Sequence, residues 1–201
     1  LSMSEQAGLS EQRRAQWAAE PVNRSEGRPV LHGALRSPDR VPAAIAEIVH
    51  RGDADLNRLL RHFDQTCPGH SVLHIGIGGS DLGPRLAASV AGQPRRPLYF
   101  LNNLDEATVA DTLDALDPAR TLVVVVSKSF STAETSLLYN RVTSWFQQHS
   151  VASGDKVVAV TANPQCARDE GIEQVLEFPS DVRITALGWW RDALWFGTAD
   201  G

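Results

Sequence analysis

The run Leu122-Val123-Val124-Val125-Val126 constrains the fold of this chain more than any other stretch. Its consecutive apolar, mostly β-branched residues leave no side for water, so a strand built from them is buried on both faces. Strands of that kind belong to parallel sheets covered by helices above and below. The surroundings agree, because from Ser71 onward short apolar runs alternate with amphipathic ones. Strands are expected at Val72–Ile77, Pro97–Leu101, Thr121–Val126, Lys156–Thr161 and Gln174–Phe178. Helices are expected between them at Gly83–Ala91, Glu106–Ala115, Thr132–Gln148 and Asn163–Glu170. Right-handed crossovers then give an α/β fold, a three-layer αβα sandwich around a five-stranded parallel sheet.

Residues 1–65 read as an N-terminal helical extension with irregular stretches. Leu9–Ala19 is rich in helix formers, with Ser10 as N-cap and Pro21 as stop. Ala43–Phe63 repeats apolar residues at helical spacing (Ile45, Ile48, Val49, then Leu56, Leu59, Leu60, Phe63), with a break expected near Gly52. The turn Cys67-Pro68-Gly69 introduces the α/β unit over 66–180, and 181–201 form a divergent tail.

The chain has 201 residues, 42% hydrophobic and 21% charged, which suits one domain with a substantial core. A net charge of −5 argues against a general nucleic-acid surface, which needs a basic excess to displace counterions. No apolar run reaches membrane-spanning length, and the polar start, Leu1 to Glu20, has no signal-peptide core. Cys67 and Cys166 lack metal spacing and any disulfide framework, so both are expected to be reduced thiols and the compartment cytoplasmic. The opening Leu1, in place of Met, reads as an expression scar or a trimmed fragment. Nearly all positive charge is arginine; the lysines are Lys128 and Lys156 alone, which draws attention to Lys128.

In a doubly wound sheet, ligands bind beyond the carboxyl ends of the strands. Two loops fall there. The first is Gly76-Ile77-Gly78-Gly79-Ser80-Asp81-Leu82-Gly83-Pro84, whose glycines permit a sharp turn with accessible amides, and whose Pro84 suits the first turn of a helix. A dinucleotide fingerprint would require glycine where Asp81 stands, and a Walker loop would require Lys-Ser/Thr in place of Pro84-Arg85. Alone, this loop is equally well a tight strand–helix turn.

The second loop is Ser127-Lys128-Ser129-Phe130-Ser131-Thr132-Ala133-Glu134-Thr135. Hydroxyls and a lysine stand here between a buried strand and a long amphipathic helix. The free N–H groups and positive dipole end of that helix would stabilise a phosphate, and short hydroxyls donate to its oxygens without bulk. The plainer reading is an N-cap at Ser131 or Thr132, completed by Glu134 or Thr135, but it explains one hydroxyl rather than the four of Ser127, Ser129, Ser131 and Thr132.

Together these loops resemble the two sugar-phosphate motifs of the glucose-6-phosphate isomerase family, in that family's order and at about its separation. A third stretch, Asn23-Arg24-Ser25-Glu26-Gly27-Arg28-Pro29-Val30-Leu31-His32-Gly33-Ala34-Leu35-Arg36, is similar to the family's NxTEgRaVLHxALR segment. The resemblance runs from about Leu9 to Phe178 and implies a sugar isomerase (SIS) domain. It implies that Ser127, Lys128, Ser129 and Thr132 hold the substrate phosphate, and that Gly78, Gly79 and Ser80 line the sugar side. Ser129 and Ser131 stand where the family usually has threonine, so a hydroxyl survives at both. The implied ligands are glucose 6-phosphate and fructose 6-phosphate, with no cofactor and no metal, in a homodimer.

The resemblance fails after Ser180-Asp181-Val182-Arg183. The family continues there into a Gly-Gly-Arg segment and a longer second half that supplies a catalytic glutamate, a ring-opening histidine and a late lysine. Arg183 and Arg191 lie near the expected arginine, but neither sits in its motif, and no acid–base residue is assigned. Trp189-Trp190-Arg191 read one base later begins Gly-Gly, so a shifted reading frame is one expectation for Ile184–Gly201; a divergent end is the other. Binding without turnover is the expectation for a truncated chain of this kind, with a non-catalytic sugar-phosphate sensor as the alternative.

The remaining polar residues have plainer readings. His32, His50, His62, His70, His74 and His149 are scattered without metal spacing, and His74 reads as a satisfied core or edge histidine. Asp105, Glu106, Asp111 and Asp114 fit a solvated helix face capped by Asp105. Glu26 and Arg28 read as structural, and Trp189, Trp190, Trp195 and Phe196 as a packing patch.

Overall fold

The structure is a computed structural model, and it describes residues 21–23, 28–29, 42–91, 96–177, 186–190 and 193–197. The all-apolar run lies at the centre of the fold. Strand β5 (Thr121–Val126) is buried at every residue and sits third in a five-stranded sheet, flanked by β3 (Ser71–Gly76) and β6 (Val157–Thr161). Strands β4 (Leu98–Leu101) and β7 (Gln174–Glu177) form the edges, giving the order β4-β3-β5-β6-β7 with every pairing parallel.

Alternation along the strands sends their side chains into two separate cores. Leu73, Ile75, Val123, Val125, Val157 and Ala159 meet Val109 and Leu113 of α3 (Glu106–Asp114) on one face. The same core takes Leu138, Tyr139, Val142, Trp145 and Phe146 of α4 (Ala133–Gln148). On the opposite face, Val72, Val124, Val126 and Val160 pack with Leu60, beside a cluster of Leu122 and Val158 with Phe63 and Cys67. Leu60 and Phe63 belong to α1 (Ala43–Thr66), which covers that face. The expected three-layer α/β sandwich is therefore what forms. Phe146, Leu138 and Val142 are at most 1% exposed, and each such side chain is stabilised by about 1.5–3 kcal/mol relative to water.

Three expectations need correction. Helix α1 runs unbroken through Gly52, because a glycine costs a helix interior only about 1 kcal/mol relative to alanine. Helix α2 (Gly79–Ala91) begins four residues before Gly83, so Pro84 lies inside it and not in its first turn. The N-terminal stretch is not wholly helical or irregular, since β1 (Pro21–Asn23) pairs antiparallel with β2 (Arg28–Pro29). Of the stretch Asn23–Arg36, only Asn23, Arg28 and Pro29 fall among the described residues; Leu9–Ala19, Glu26 and His32 lie outside them. In the tail, β8 (Ala186–Trp190) and β9 (Ala193–Gly197) form an antiparallel hairpin.

The solvated face of α3 is as expected. The Asp105 carboxylate accepts from the Thr108 hydroxyl at 2.6 Å and from its N–H at 2.9 Å, and these two bonds hold its pKa below the ordinary range. Glu106 pairs with Arg141 of α4 across an exposed surface, where such pairs contribute little.

Candidate functional site

The sheet order brings the two polar loops together. Strands β3 and β5 are hydrogen-bonded neighbours, with Gly76 opposite Val126, so both loops leave the carboxyl ends of adjacent strands side by side. Gly78, Gly79 and Ser80 follow the first strand; Ser127, Lys128, Ser129 and Thr132 follow the second. Gly78 and Gly79 are exposed and Ser80 half-buried. Ser127 is buried, Lys128 and Thr132 are half-buried, and Ser129 is exposed.

In the first loop Gly78 adopts φ +58°, where a side chain is strained, so glycine fits for a backbone reason. Helix α2 then starts at once, and its Pro84 has no N–H to give the carbonyl four residues earlier, that of Ser80. His74 fills the gap from outside the helix: its Nε2 lies 2.7 Å from the Ser80 carbonyl oxygen. A carbonyl only accepts, so Nε2 carries the proton. Burial pushes the His74 pKa down to about 4, more than the Ser80 bond and the Asp81 charge push it up, with Arg85 lowering it further. The imidazole is thus a neutral donor at pH 7. It is the satisfied core histidine that the sequence suggested.

Asp81, the residue that breaks the dinucleotide pattern, is 2% exposed and ties α2 to the segment that leaves β4. Its carboxylate accepts from Arg85 Nη2 at 2.8 Å and Nε at 3.2 Å, one turn along α2, and from Asn102 Nδ2 at 2.8 Å, just past β4. The Arg85 guanidinium lies 4.7 Å from the centre of the Phe100 ring, and that ring lies 5.2 Å from the His74 ring. A glycine at 81 would lose the three hydrogen bonds to Arg85 and Asn102. These contacts fix the Gly78–Ser80 turn and leave the Asp81 charge compensated instead of facing the loop opposite.

In the second loop the backbone is held from both sides. Phe130 takes φ +53°, a left-handed conformation that costs a non-glycine residue about 1–2 kcal/mol. Its ring is 4% exposed within the main core, and burying it recovers about as much. The flanking hydroxyls of Ser129 and Ser131 are turned outward and lie 2.6 Å apart. Thr132 occupies the N-cap position of α4, yet its hydroxyl makes no capping hydrogen bond. The N-cap reading therefore does not account for that side chain.

The family model of phosphoglucose isomerase matches residues 1–183. The chain belongs to that family. It is 43% identical over 154 residues to the glucose-6-phosphate isomerase of Bordetella petrii, an alignment covering 75% of this chain and 29% of the relative. It is 36% identical over 196 residues to the enzyme of Cupriavidus metallidurans, covering 86% of this chain and 36% of the relative. The crystal structure of a glucose-6-phosphate isomerase from Chlamydia trachomatis superposes with a TM-score of 0.69 at 26% identity, covering 94% of this chain and 37% of that one. The chain thus spans about a third of the length of the phosphoglucose isomerases it matches. The family match stops at the point where the sequence motifs stop, and β8 and β9 lie beyond it.

Sequence reasoning missed Asp81, Asn102, Thr161 and Asn163 as parts of the loop architecture. Two carried a local signal: Asp81 stands four residues before Arg85, and Asn163, followed by Pro164 at a helix start, reads as an N-cap, which it is for α5 (Pro164–Asp169). A further bond of Asn163, from Nδ2 to the Ser129 carbonyl oxygen at 3.1 Å, reaches a residue 34 positions away.

Proposed function

We propose that this chain binds glucose 6-phosphate and fructose 6-phosphate. The phosphate lies on Ser127, Lys128, Ser129 and Thr132, and the sugar lies along Gly78, Gly79 and Ser80. The observation that carries this reading is the pairing of β3 with β5, which starts both loops from the carboxyl ends of adjacent strands. The uncapped hydroxyl of Thr132 at the head of α4 supports it, because helix N-termini favour anions. No cofactor or metal enters the reading. We place the protein in the cytoplasm, as part of a homodimeric aldose–ketose isomerase of glycolysis and gluconeogenesis.

Interconversion of the two sugar phosphates requires ring opening and then transfer of a proton between adjacent carbons by a base. That acid–base contribution is about two to four orders of magnitude in rate. The residues assigned to this chain anchor phosphate and sugar and include no such base, so we read the chain by itself as binding without appreciable turnover. Calorimetric titration with fructose 6-phosphate should show saturable binding, weakened about five- to tenfold by Thr132→Val through loss of one hydroxyl donor. A coupled assay on the same sample should show no turnover above background. Absence of binding contradicts the first claim, and turnover like that of the full-length relatives contradicts the second.

A further inference from the structure

We propose that Asn163 is a positioning residue for the substrate phosphate: its side chain fixes the Ser129 peptide and so aims the donors of the Ser127–Thr132 loop. The inference rests on the sugar-phosphate reading above and adds a residue to it. Regular pairing between β5 and β6 is prolonged by one bond, from the Ser127 N–H to the Val160 carbonyl at 3.1 Å. Beyond it, the carbonyls of Lys128 and Ser129 are taken by the last residue of β6 and the two residues that follow it. The Lys128 carbonyl accepts from the Ala162 N–H and from the Thr161 hydroxyl, each at 3.0 Å. The Ser129 carbonyl accepts from Asn163 Nδ2 at 3.1 Å.

The geometry of the peptide unit gives these bonds their consequence. In a planar trans peptide the C=O and the following N–H point in opposite directions. Holding the carbonyls of Lys128 and Ser129 toward β6 therefore turns the N–H groups of Ser129 and Phe130 away from it, and we take these as donors to the phosphate. The buried Phe130 ring pins the loop one residue later, so the hydroxyls of Ser129 and Ser131 flank a fixed point. Asn163 is itself held. Its N–H donates to the Thr161 hydroxyl at 3.0 Å, its Oδ1 accepts from the Cys166 N–H at 3.4 Å, and its Nδ2 lies 3.0 Å from Cys166 Sγ. The amide that reaches Ser129 is thus pre-set by the start of α5 and does not depend on ligand to find its place.

The capping and positioning roles of Asn163 separate by substitution. Asn163→Ser keeps a neutral cap oxygen for α5 but is too short to reach the Ser129 carbonyl; Asn163→Asp keeps the cap and the length but removes the donor. The chain and both variants are titrated with inorganic phosphate and with fructose 6-phosphate, and backbone amide spectra are recorded without ligand. Both variants should keep the melting temperature of the parent chain, shift the Ser129–Ser131 resonances before any ligand is added, and leave Gly78–Ser80 unshifted. Affinity for both probes should fall about tenfold in Asn163→Ser, and at least as far in Asn163→Asp. Unshifted Ser129–Ser131 resonances, or variants that bind as tightly as the parent, overturn the positioning role alone. A loss of affinity that only tracks a lowered melting temperature also overturns it, in favour of plain helix capping. A parent chain that binds neither probe overturns this inference and the sugar-phosphate reading together.

Discussion

Gly76→Ala should lower the unfolding free energy by about 3 kcal/mol or more and remove sugar-phosphate binding along with it. Gly76 is the last residue of β3, and the His74–Ser80 hydrogen bond passes directly over it. A Cβ placed there would stand 2.9 Å from His74 Nε2 and closer still to the Ser80 carbonyl oxygen, well inside van der Waals contact. The His74 ring has nowhere to retreat, since it is buried against Phe100, and the Ser80 carbonyl belongs to the first turn of α2. The added methyl must therefore break the bond that replaces the missing Pro84 donor, or push the whole Gly78–Ser80 turn outward. Equilibrium urea unfolding measures the first effect, and fructose 6-phosphate titration at a urea-free, fully folded temperature measures the second. A variant with parental stability would show that the turn is free to move, contrary to this account. A glycine whose backbone conformation alone mattered would not behave this way, which is why Gly76 and not Gly78 is the sharper test.

Acidification should destabilise the protein through His74 by about 2 kcal/mol between pH 7.5 and pH 5. In the folded state desolvation holds its pKa at about 4, whereas the unfolded chain takes up the proton near the ordinary 6.5. The stabilisation is complete above pH 6.5 and is lost progressively as pH falls toward 4, because only the unfolded state gains a proton in that window. The groups facing the ring are the Ser80 carbonyl and Asp81, which favour the protonated form, and Arg85, which opposes it. Phe100 adds an apolar wall. Urea unfolding of the parent chain and of His74→Gln at both pH values isolates this contribution. The glutamine amide retains a donor for Ser80 but does not titrate, so the variant should lose about 2 kcal/mol less on acidification. Equal losses in the two proteins would mean that His74 is protonated in the folded state.

What was legible in the sequence follows from how local its cause is. Strand β5 was read to the residue, because an uninterrupted apolar run bounded by Arg120 and Ser127 carries its own limits. The Ser127–Thr135 loop was legible for the same reason: a polar segment between a buried strand and an amphipathic helix announces a helix N-terminus. The start of α2 was misplaced by four residues because glycine pairs and a proline read as a turn, and the bond that lets the helix begin at Gly79 comes from His74 on the preceding strand. Nor did periodicity indicate that Asp81 would find Asn102, 21 residues on, or that Asn163 would find Ser129, 34 residues back. Such contacts exist only once β4, β3, β5 and β6 stand side by side. The sequence therefore marked the two polar loops that follow β3 and β5, while the residues that hold those loops in shape emerged from the sheet order.

The most direct test of the central claim is a titration of the chain with fructose 6-phosphate, following every assigned backbone amide, with inorganic phosphate as a parallel probe. Fructose 6-phosphate should shift both Gly78–Ser80 and Ser127–Thr132 with one common dissociation constant, and phosphate alone should shift Ser127–Thr132 and leave the first loop in place. Absence of shifts in both segments, or shifts confined to residues away from the carboxyl ends of β3 and β5, would contradict a sugar-phosphate site built from these two loops.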